Sequence, residues 1–266
     1  MRFLRLWQAL ILFGIFALWQ LLSSPDILPP VVWDNPHRAA FFFGEPVKMF
    51  KVIWVWFSEG AIYQHLWVTL QETALAFVIG SVLGLAVGLW LGLSPMASAL
   101  FDPYITAMNA MPRVVLAPIF MVWFGLGIWS KVALGVTLVF FIVFFNVYQG
   151  VKEVSPVVLN NVVMLGANRR QLLRYVYLPS ATSWVFSSLH TAVGMAFVGA
   201  VVGEYLGSAR GVGYLIQQAE GAFDINTVFA GILVLTAFAL VLDFVVTGAE
   251  RRLLVWRPTQ SETERL

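Results

Sequence analysis

Six stretches of this chain run for about 20 residues or more with very little charge, and that property narrows its possible folds more than any motif does. They cover residues 4–22, 68–93, 102–124, 130–150, 184–206 and 227–247. A helix of about 20 apolar residues crosses the hydrocarbon layer of a bilayer. In lipid every backbone N–H and C=O must be paired within the structure, so only helices and closed barrels can span it. Barrel strands would show as segments of alternating polarity about ten residues long, whereas these runs are continuous. The expected fold class is all-α, a polytopic integral membrane protein with six transmembrane helices. Composition agrees: 60% of residues are hydrophobic and 11% charged, against about 45–50% and 25% in soluble domains.

The chemistry absent from the sequence is also informative. There is no cysteine and there are only three histidines, which removes disulfide and thiol chemistry. No G-x-x-x-x-G-K-[ST] phosphate loop, H-E-x-x-H pair or G-x-S-x-G elbow occurs. The chain is therefore expected to be no enzyme and to hold no metal.

Loop charge sets the orientation, because cytoplasmic loops carry the excess of Lys and Arg. With the N-terminus inside, the inner segments hold Arg2, Arg5, Lys152, Arg169, Arg170, Arg174, Arg251, Arg252, Arg257 and Arg265. The outer segments hold Arg38, Lys48, Lys51, Lys131 and Arg210, and Arg113 falls within a run. Ten against five predicts N-in/C-in, with the loop at 23–67 outside and the loop at 151–183 cytoplasmic. The first run is long and no A-x-A-like site follows, so it is expected to be an uncleaved span. In the outer loop, Pro46 suits a first helical position. Phe50, Ile53, Trp54 and Phe57 share one face of that helix, which would lie in the membrane interface or pack on the spans.

Two runs carry ladders of small residues. Gly80, Gly84, Gly88 and Gly92 recur every four residues in the second run, and Gly199, Gly203 and Gly207 in the fifth, beside Ala192, Ala196 and Ala200. Residues four apart share a helix face, where small side chains let backbones approach. Packing within the chain is the expectation, with a dimer face as the alternative. Pro112 and Pro118 predict a kink in the third run.

One polar segment, "MLGANRRQLLRYVYLP" at 164–179, interrupts this pattern. Ahead of it, Ser155-Pro156 reads as an N-cap followed by Pro at the first helical position. That helix is expected to run to Leu165, with Gly166 as the left-handed residue past its end. Asn168 caps a second helix, with Gln171 at the capping-box position. The second helix is expected to reach about Tyr177 and to be stopped by Pro179. The result is a helix–glycine–helix element on the cytoplasmic surface. Part of its apolar surface, at Leu165, Leu172 and Val176, is left for a partner beside Arg169 and Arg170.

This segment resembles the cytoplasmic signature E-A-A-x3-G-x9-I-x-L-P of the permeases of bacterial binding-protein-dependent ABC importers. Gly166 is followed by nine residues and then Val176, Tyr177, Leu178 and Pro179, while Asn160, Asn161 and Val162 stand in place of E-A-A. "MPRVVLAPIFMVWFGLGIWSK" at 111–131 and "VVGEYLGSARGVGYLI" at 201–216 are similar to signatures of the nitrate/sulfonate/taurine-type branch. "HLWVTLQETALAFVIGSVLGL" is similar to its second-span entry, with Glu72 where a basic residue is usual, and His190 stands where the branch usually has Arg. The resemblance covers about residues 44–256.

The resemblance implies a type I ABC importer permease fold in the bacterial inner membrane. Two copies would form the pathway, two cytoplasmic ATP-binding subunits would drive it, and a periplasmic solute-binding protein would deliver the solute. ATP and magnesium would lie on the ATPase, leaving no cofactor on this chain, and no nucleic acid is involved. Coupling would fall to Met164, Leu165, Gly166, Ala167, Asn168, Arg169, Arg170, Leu172, Leu178 and Pro179. Asn109, Arg113, His190 and Glu204 are the candidates for lining or gating the pathway. Pairing between helices is an equal account of Asp243, near Arg251 and Arg252. Sulfonates, taurine, nitrate, aromatic acids and vitamin precursors all stay open as solutes. A secondary transporter, the membrane scaffold of an energy-coupling vitamin importer and a channel remain as rivals. The first would need matching broken helices in two halves, and the scaffold shares only Ala209-Arg210-Gly211, on the expected outer side.

Overall fold

The computed structural model describes residues 2–24 and 36–253, and every regular element among them is helical. In chain order these are α1 (Arg2–Ser23), α2 (Pro36–Phe43), α3 (Pro46–Ser58), α4 (Ala61–Leu93) and α5 (Pro95–Ala110). A 3-10 turn (Arg113–Leu116) leads into α6 (Ala117–Phe124), followed by α7 (Ile128–Lys152), α8 (Pro156–Met164) and α9 (Arg169–Leu172). A π turn (Leu173–Tyr177) leads into α10 (Leu178–Leu206), then α11 (Val212–Gly221) and α12 (Ile225–Leu253).

Among the described residues α1, α4, α7 and α12 are each long and apolar enough to cross a bilayer, and α5 with α6 meets the same test as one broken span. α10 is 29 residues long, with a shorter apolar stretch at His190–Leu206. Five of the six apolar runs thus fall each on a single helix, and the third, 102–124, is shared by α5 and α6.

The third run is broken rather than kinked. Its first helix starts at Pro95, where Ser94 Oγ accepts the Ala97 N–H, and the chain bends by 87° after Ala110. Met111 is extended, with φ −72° and ψ 133°, because a residue before proline is driven out of the helical region. Pro112 then has no N–H with which to continue. Pro118 lies in the first turn of α6, where proline is tolerated.

The helices form two groups. One comprises the chain to Val68 with Glu204–Ala237, the other Thr69–Gly203 with the chain from Phe238. In the first group the last turns of α1 hold the turn between α2 and α3. Trp19 Nε1–H donates to the Phe43 carbonyl (3.1 Å), and the Val47 N–H donates to Gln20 Oε1 (3.0 Å). The Glu45 N–H donates to Asn226 Oδ1 (2.7 Å) at the start of α12. Pro46 takes the first position of α3. Phe50, Trp54 and Phe57 on its expected apolar face are exposed, whereas Ile53 is half-buried and Met49 is buried.

In the second group α7 is the enclosed helix. The α4 glycine ladder faces a row of valines on α7, residue for residue. A Cβ on Gly80, Gly84, Gly88 or Gly92 would stand 2.7, 2.9, 2.8 or 2.9 Å from the Cβ of Val139, Val143, Val147 or Val151 respectively. On α10, a Cβ on Gly199 would overlap the Gly135 backbone, while a Cβ on Gly135 would lie 2.6 Å from that of Ala76 on α4. Ala76, Ala192 and Ala196 share the buried core with the four valines. The ladder on α4 and Gly199 on α10 therefore pack within the chain. Nearer the start of α10, Ser180 Oγ donates to the Gly150 carbonyl (2.8 Å). Lys131, counted above as an outer charge, is fully buried in the first turn of α7.

Gly84→Leu is expected to overpack the α4–α7 contact at a cost of about 1–3 kcal/mol or more. Thermal unfolding of the purified protein in detergent should show a clear fall in midpoint. Gly14→Leu, with no atom within 4 Å of the added Cβ, should leave the midpoint unchanged.

Candidate functional site

The hairpin between α7 and α10 is built by local rules. Pro156 takes the first position of α8 after Ser155, whose side chain makes no capping bond. α8 ends at Met164, with Leu165 as its C-cap. The Gly166 N–H donates to the Val163 carbonyl (2.9 Å) and the Ala167 N–H to the Val162 carbonyl (3.2 Å). This paired 5→2 and 6→1 closure is that of a Schellman motif, which needs a left-handed residue. Gly166 supplies it at φ +85°, and no atom lies within 4 Å of where its Cβ would be. Glycine is thus required here for conformation, not for room. The capping box is complete: the Gln171 N–H donates to Asn168 Oδ1 (2.9 Å) and the Asn168 N–H to Gln171 Oε1 (2.8 Å).

Pro179 does not stop the second helix. α9, the π turn and α10 follow one another without a gap from Arg169 to Leu206. An α-helical path would drive the Pro179 ring against the carbonyl four residues back. Instead the Leu178 N–H reaches the Leu173 carbonyl, five residues back, and this wider turn absorbs the proline. At the apex Met164 and Leu165 are 85% and 86% exposed. Gly166, Asn168, Arg169, Arg170 and Pro179 are exposed as well, whereas Ala167, Leu172 and Leu178 are half-buried.

The polar residues of the spans fall into separate places. Asn109 and Arg113 flank the 87° bend and meet there. Arg113 Nη2 donates to Asn109 Oδ1 (2.5 Å), and the guanidinium carbon stands 4.5 Å from the centre of the Phe141 ring. The buried Nε–H of Arg113 has no acceptor among the described residues. His190 on α10 reaches Asp243 on α12, Nδ1 to Oδ1 at 3.3 Å, so Asp243 pairs with another helix as the sequence allowed.

Glu204 is fully buried. Its Oε2 accepts the Gly213 N–H (2.7 Å) in the first turn of α11, where a carboxylate is favoured. Gly211, at φ +106°, leaves the space its Cβ would take to the Glu204 carboxylate, and its N–H donates to His65 Nδ1 (3.1 Å). The contacts of Glu204 are thus those of a loop anchor, and they account for the E-x6-G-x-G spacing.

Sequence reasoning passed over the buried Lys131 and His65. Lys131 Nζ donates to the carbonyls of Leu126 (2.6 Å) and Gly127 (3.1 Å), closing the turn after α6. Gly203 makes room for it, since a Cβ there would come 2.8 Å from Lys131 Cγ. The available signal was a lysine one residue into an apolar run.

Residues 80–255 match the family described as binding-protein-dependent transport system inner membrane component. The chain belongs to this family. The hairpin, Arg113, His190 and Glu204 all lie inside the matched region. The permease is 30% identical over 243 residues to a putative aliphatic sulfonates transport permease protein of Bacillus subtilis, covering 91% of this chain and 84% of the relative. It is 34% identical over 235 residues to a formylaminopyrimidine transport permease protein of Halalkalibacterium halodurans, covering 86% of this chain and 93% of the relative. It is 32% identical over 200 residues to the taurine transport system permease protein of Escherichia coli, covering 75% and 73%. Among solved structures, an inward-facing MetNI methionine ABC transporter matches with a TM-score of 0.61 at 17% identity, over 76% of this chain and 96% of that chain. The fold is thus that of an ABC transporter permease, and the protein is a membrane transport permease with several apolar helices.

Glu204→Ala leaves a buried N–H without its acceptor, at a cost of about 1–3 kcal/mol. Glu204→Gln keeps an acceptor and should retain most of the stability. Thermal unfolding of the two variants side by side checks this, and equal losses would contradict the anchor role.

Proposed function

We propose that this permease is half of the membrane unit of an ATP-driven importer in the bacterial inner membrane, N-in/C-in. It works as two copies, with two cytoplasmic ATP-binding subunits and a periplasmic solute-binding protein. ATP and magnesium belong to the ATPase, and this chain carries no cofactor. The observation that supports the reading best is the hairpin apex. Met164 and Leu165 are apolar and almost fully exposed, on a tip whose shape is fixed by a Schellman turn and a capping box. An apolar tip of fixed shape with Arg169 and Arg170 beside it suits a groove with acidic edges on a partner.

The coupling is mechanical. The second arm of the hairpin continues into α10 as one helical rod, and α10 packs on α7 through glycine and alanine. A shift of the tip on ATP binding would therefore move α10 as a rigid body. Asn109, Arg113 and His190 are polar groups within spans that such a movement could expose to the solute. The solute is a small organic molecule or ion, since the named relatives serve aliphatic sulfonates, formylaminopyrimidine and taurine.

Gly166→Val forces a β-branched residue to φ +85° at a strain of about 1–3 kcal/mol. It is expected to reduce co-purification with the ATPase and to lower transport, whereas Gly166→Asn, which tolerates the left-handed region, should retain most of both. Leu165→Asp should abolish co-purification without unfolding the permease. Undiminished ATPase binding by both Gly166→Val and Leu165→Asp would rule out docking at this tip.

A further inference from the structure

The α10–α12 pair flanks an open cleft that, counted out into bulk solvent, spans about 300 Å³. It is lined on α10 by His190, Val193, Gly194 and Phe197, and on α12 by Ala239, Leu242, Asp243 and Val246. Both sets follow the i, i+3, i+4, i+7 pattern of a single helix face, so the cleft lies between two facing stripes. Phe197 and Phe238, ring centres 6.0 Å apart, bring the helices together at one end. His190 and Asp243 lie at the other end, nearer the hairpin along α10.

Three features give the cleft a chemistry. First, it is apolar except at that end, where Asp243 supplies a carboxylate with a side chain 66% exposed. Its Oδ1 faces His190 Nδ1, while Oδ2 has no hydrogen-bond partner among the described residues. Second, Lys and Arg are absent from the lining, and its one basic side chain, His190, turns Nδ1 to the Asp243 carboxylate, so the carboxylate is the stronger charge at that end. Third, Gly194 forms part of the wall, and a Cβ there would meet no atom within 4 Å.

The other side of α12 differs in character from the side that lines the cleft. Leu240, Val241, Phe244 and Val245 are exposed and wholly apolar, which is the composition of a lipid-facing surface. A carboxylate within a span turns instead to protein or to a water-filled space.

Resting on the reading of this chain as a solute-conducting permease, we infer that the α10–α12 cleft is a solute-binding station. It takes a ring-sized organic molecule bearing a protonated amine or a similar N–H-rich group. The amine meets Asp243 Oδ2, His190 holds the other carboxylate oxygen in place, and the ring lies over Gly194 towards Phe197. Sulfonates, carboxylates and nitrate are disfavoured at this station by the same carboxylate.

The test uses the full chain in phosphatidylcholine nanodiscs, with benzylamine and benzenesulfonate as ring probes of opposite charge. Binding is read by ligand-observed saturation-transfer NMR, and empty nanodiscs give the background. Benzylamine should bind and benzenesulfonate should not. Asp243→Asn should weaken benzylamine binding by about tenfold or more, the loss expected for one charge-assisted hydrogen bond. Gly194→Leu, which leaves the charges untouched and fills the space, should abolish binding, and so should Ala239→Leu from the opposite wall.

A wild-type unfolding midpoint certifies the fold of each variant, and the two cleft-filling substitutions guard against failure of either. Benzenesulfonate binding as tight as benzylamine, or benzylamine binding unchanged in a folded Asp243→Asn or cleft-filled variant, overturns the inference. Failure of the permease to pair with an ATPase, with benzylamine binding intact, would count against the importer reading alone. Lost binding with pairing intact would count against the cleft alone.

Discussion

The close approach of α4 to α7 is the contact on which the second helix group depends. Between helices in lipid, burying apolar surface gives no gain over lipid contact, so association rests on van der Waals packing and polar contacts. Dispersion falls off within fractions of an ångström, and only backbones that nearly touch gather enough of it. Four glycines against four valines provide such an approach along four turns of helix. Because Gly135 meets Ala76 on one side and Gly199 on the other, α7 is held by α4 and α10 together. A larger side chain at Gly135 would displace two partners, since a Cβ there meets Ala76 on α4 and Ala196 on α10.

Polar groups then fix what packing leaves loose. Glu204 and Gly211 tie the loop after α10 to the start of α11. Lys131 ties the turn after α6 to α7 through two carbonyls. Asn226 does the same for the loop before α3. Each places a side-chain donor or acceptor on a backbone group that has no helical partner, the requirement that burial imposes on irregular backbone.

Much of this was legible in the sequence, and the exceptions share a cause. The apolar runs, the capping box at Asn168 and Gln171, and the left-handed Gly166 are local, so residue types a few positions apart suffice to specify them. The glycine ladder was visible, but its partner row was not. Val139, Val143, Val147 and Val151 sit in a run so apolar that nothing distinguishes one face from another. Pro112 was read correctly as a disruption but not as a full break, because its effect depends on Met111 turning extended. Pro179 was read as a stop because proline in a helix interior normally is one, and the π turn that accommodates it leaves no mark in residue type. Glu204 stood out in the sequence as an ionisable group in a span, but its bond to the Gly213 N–H did not, since that N–H belongs to a segment whose path only the fold specifies. The sequence could name His190 as a pathway candidate and Asp243 as a residue that pairs between helices, but not their meeting on facing stripes of two helices.

The π turn at Leu173–Tyr177 has a further consequence. A π turn is an α turn holding one extra residue, and one residue is worth about 100° of rotation about the helix axis. The arm bearing Arg169 and Arg170 is therefore phased against the α10 face bearing His190 and Gly194 by that one residue. Losing it would turn the hairpin to a different side of the same rod while leaving every side chain of α10 where it is. Single-residue insertions and deletions in this segment are thus a means by which related chains could aim the same tip at differently placed grooves.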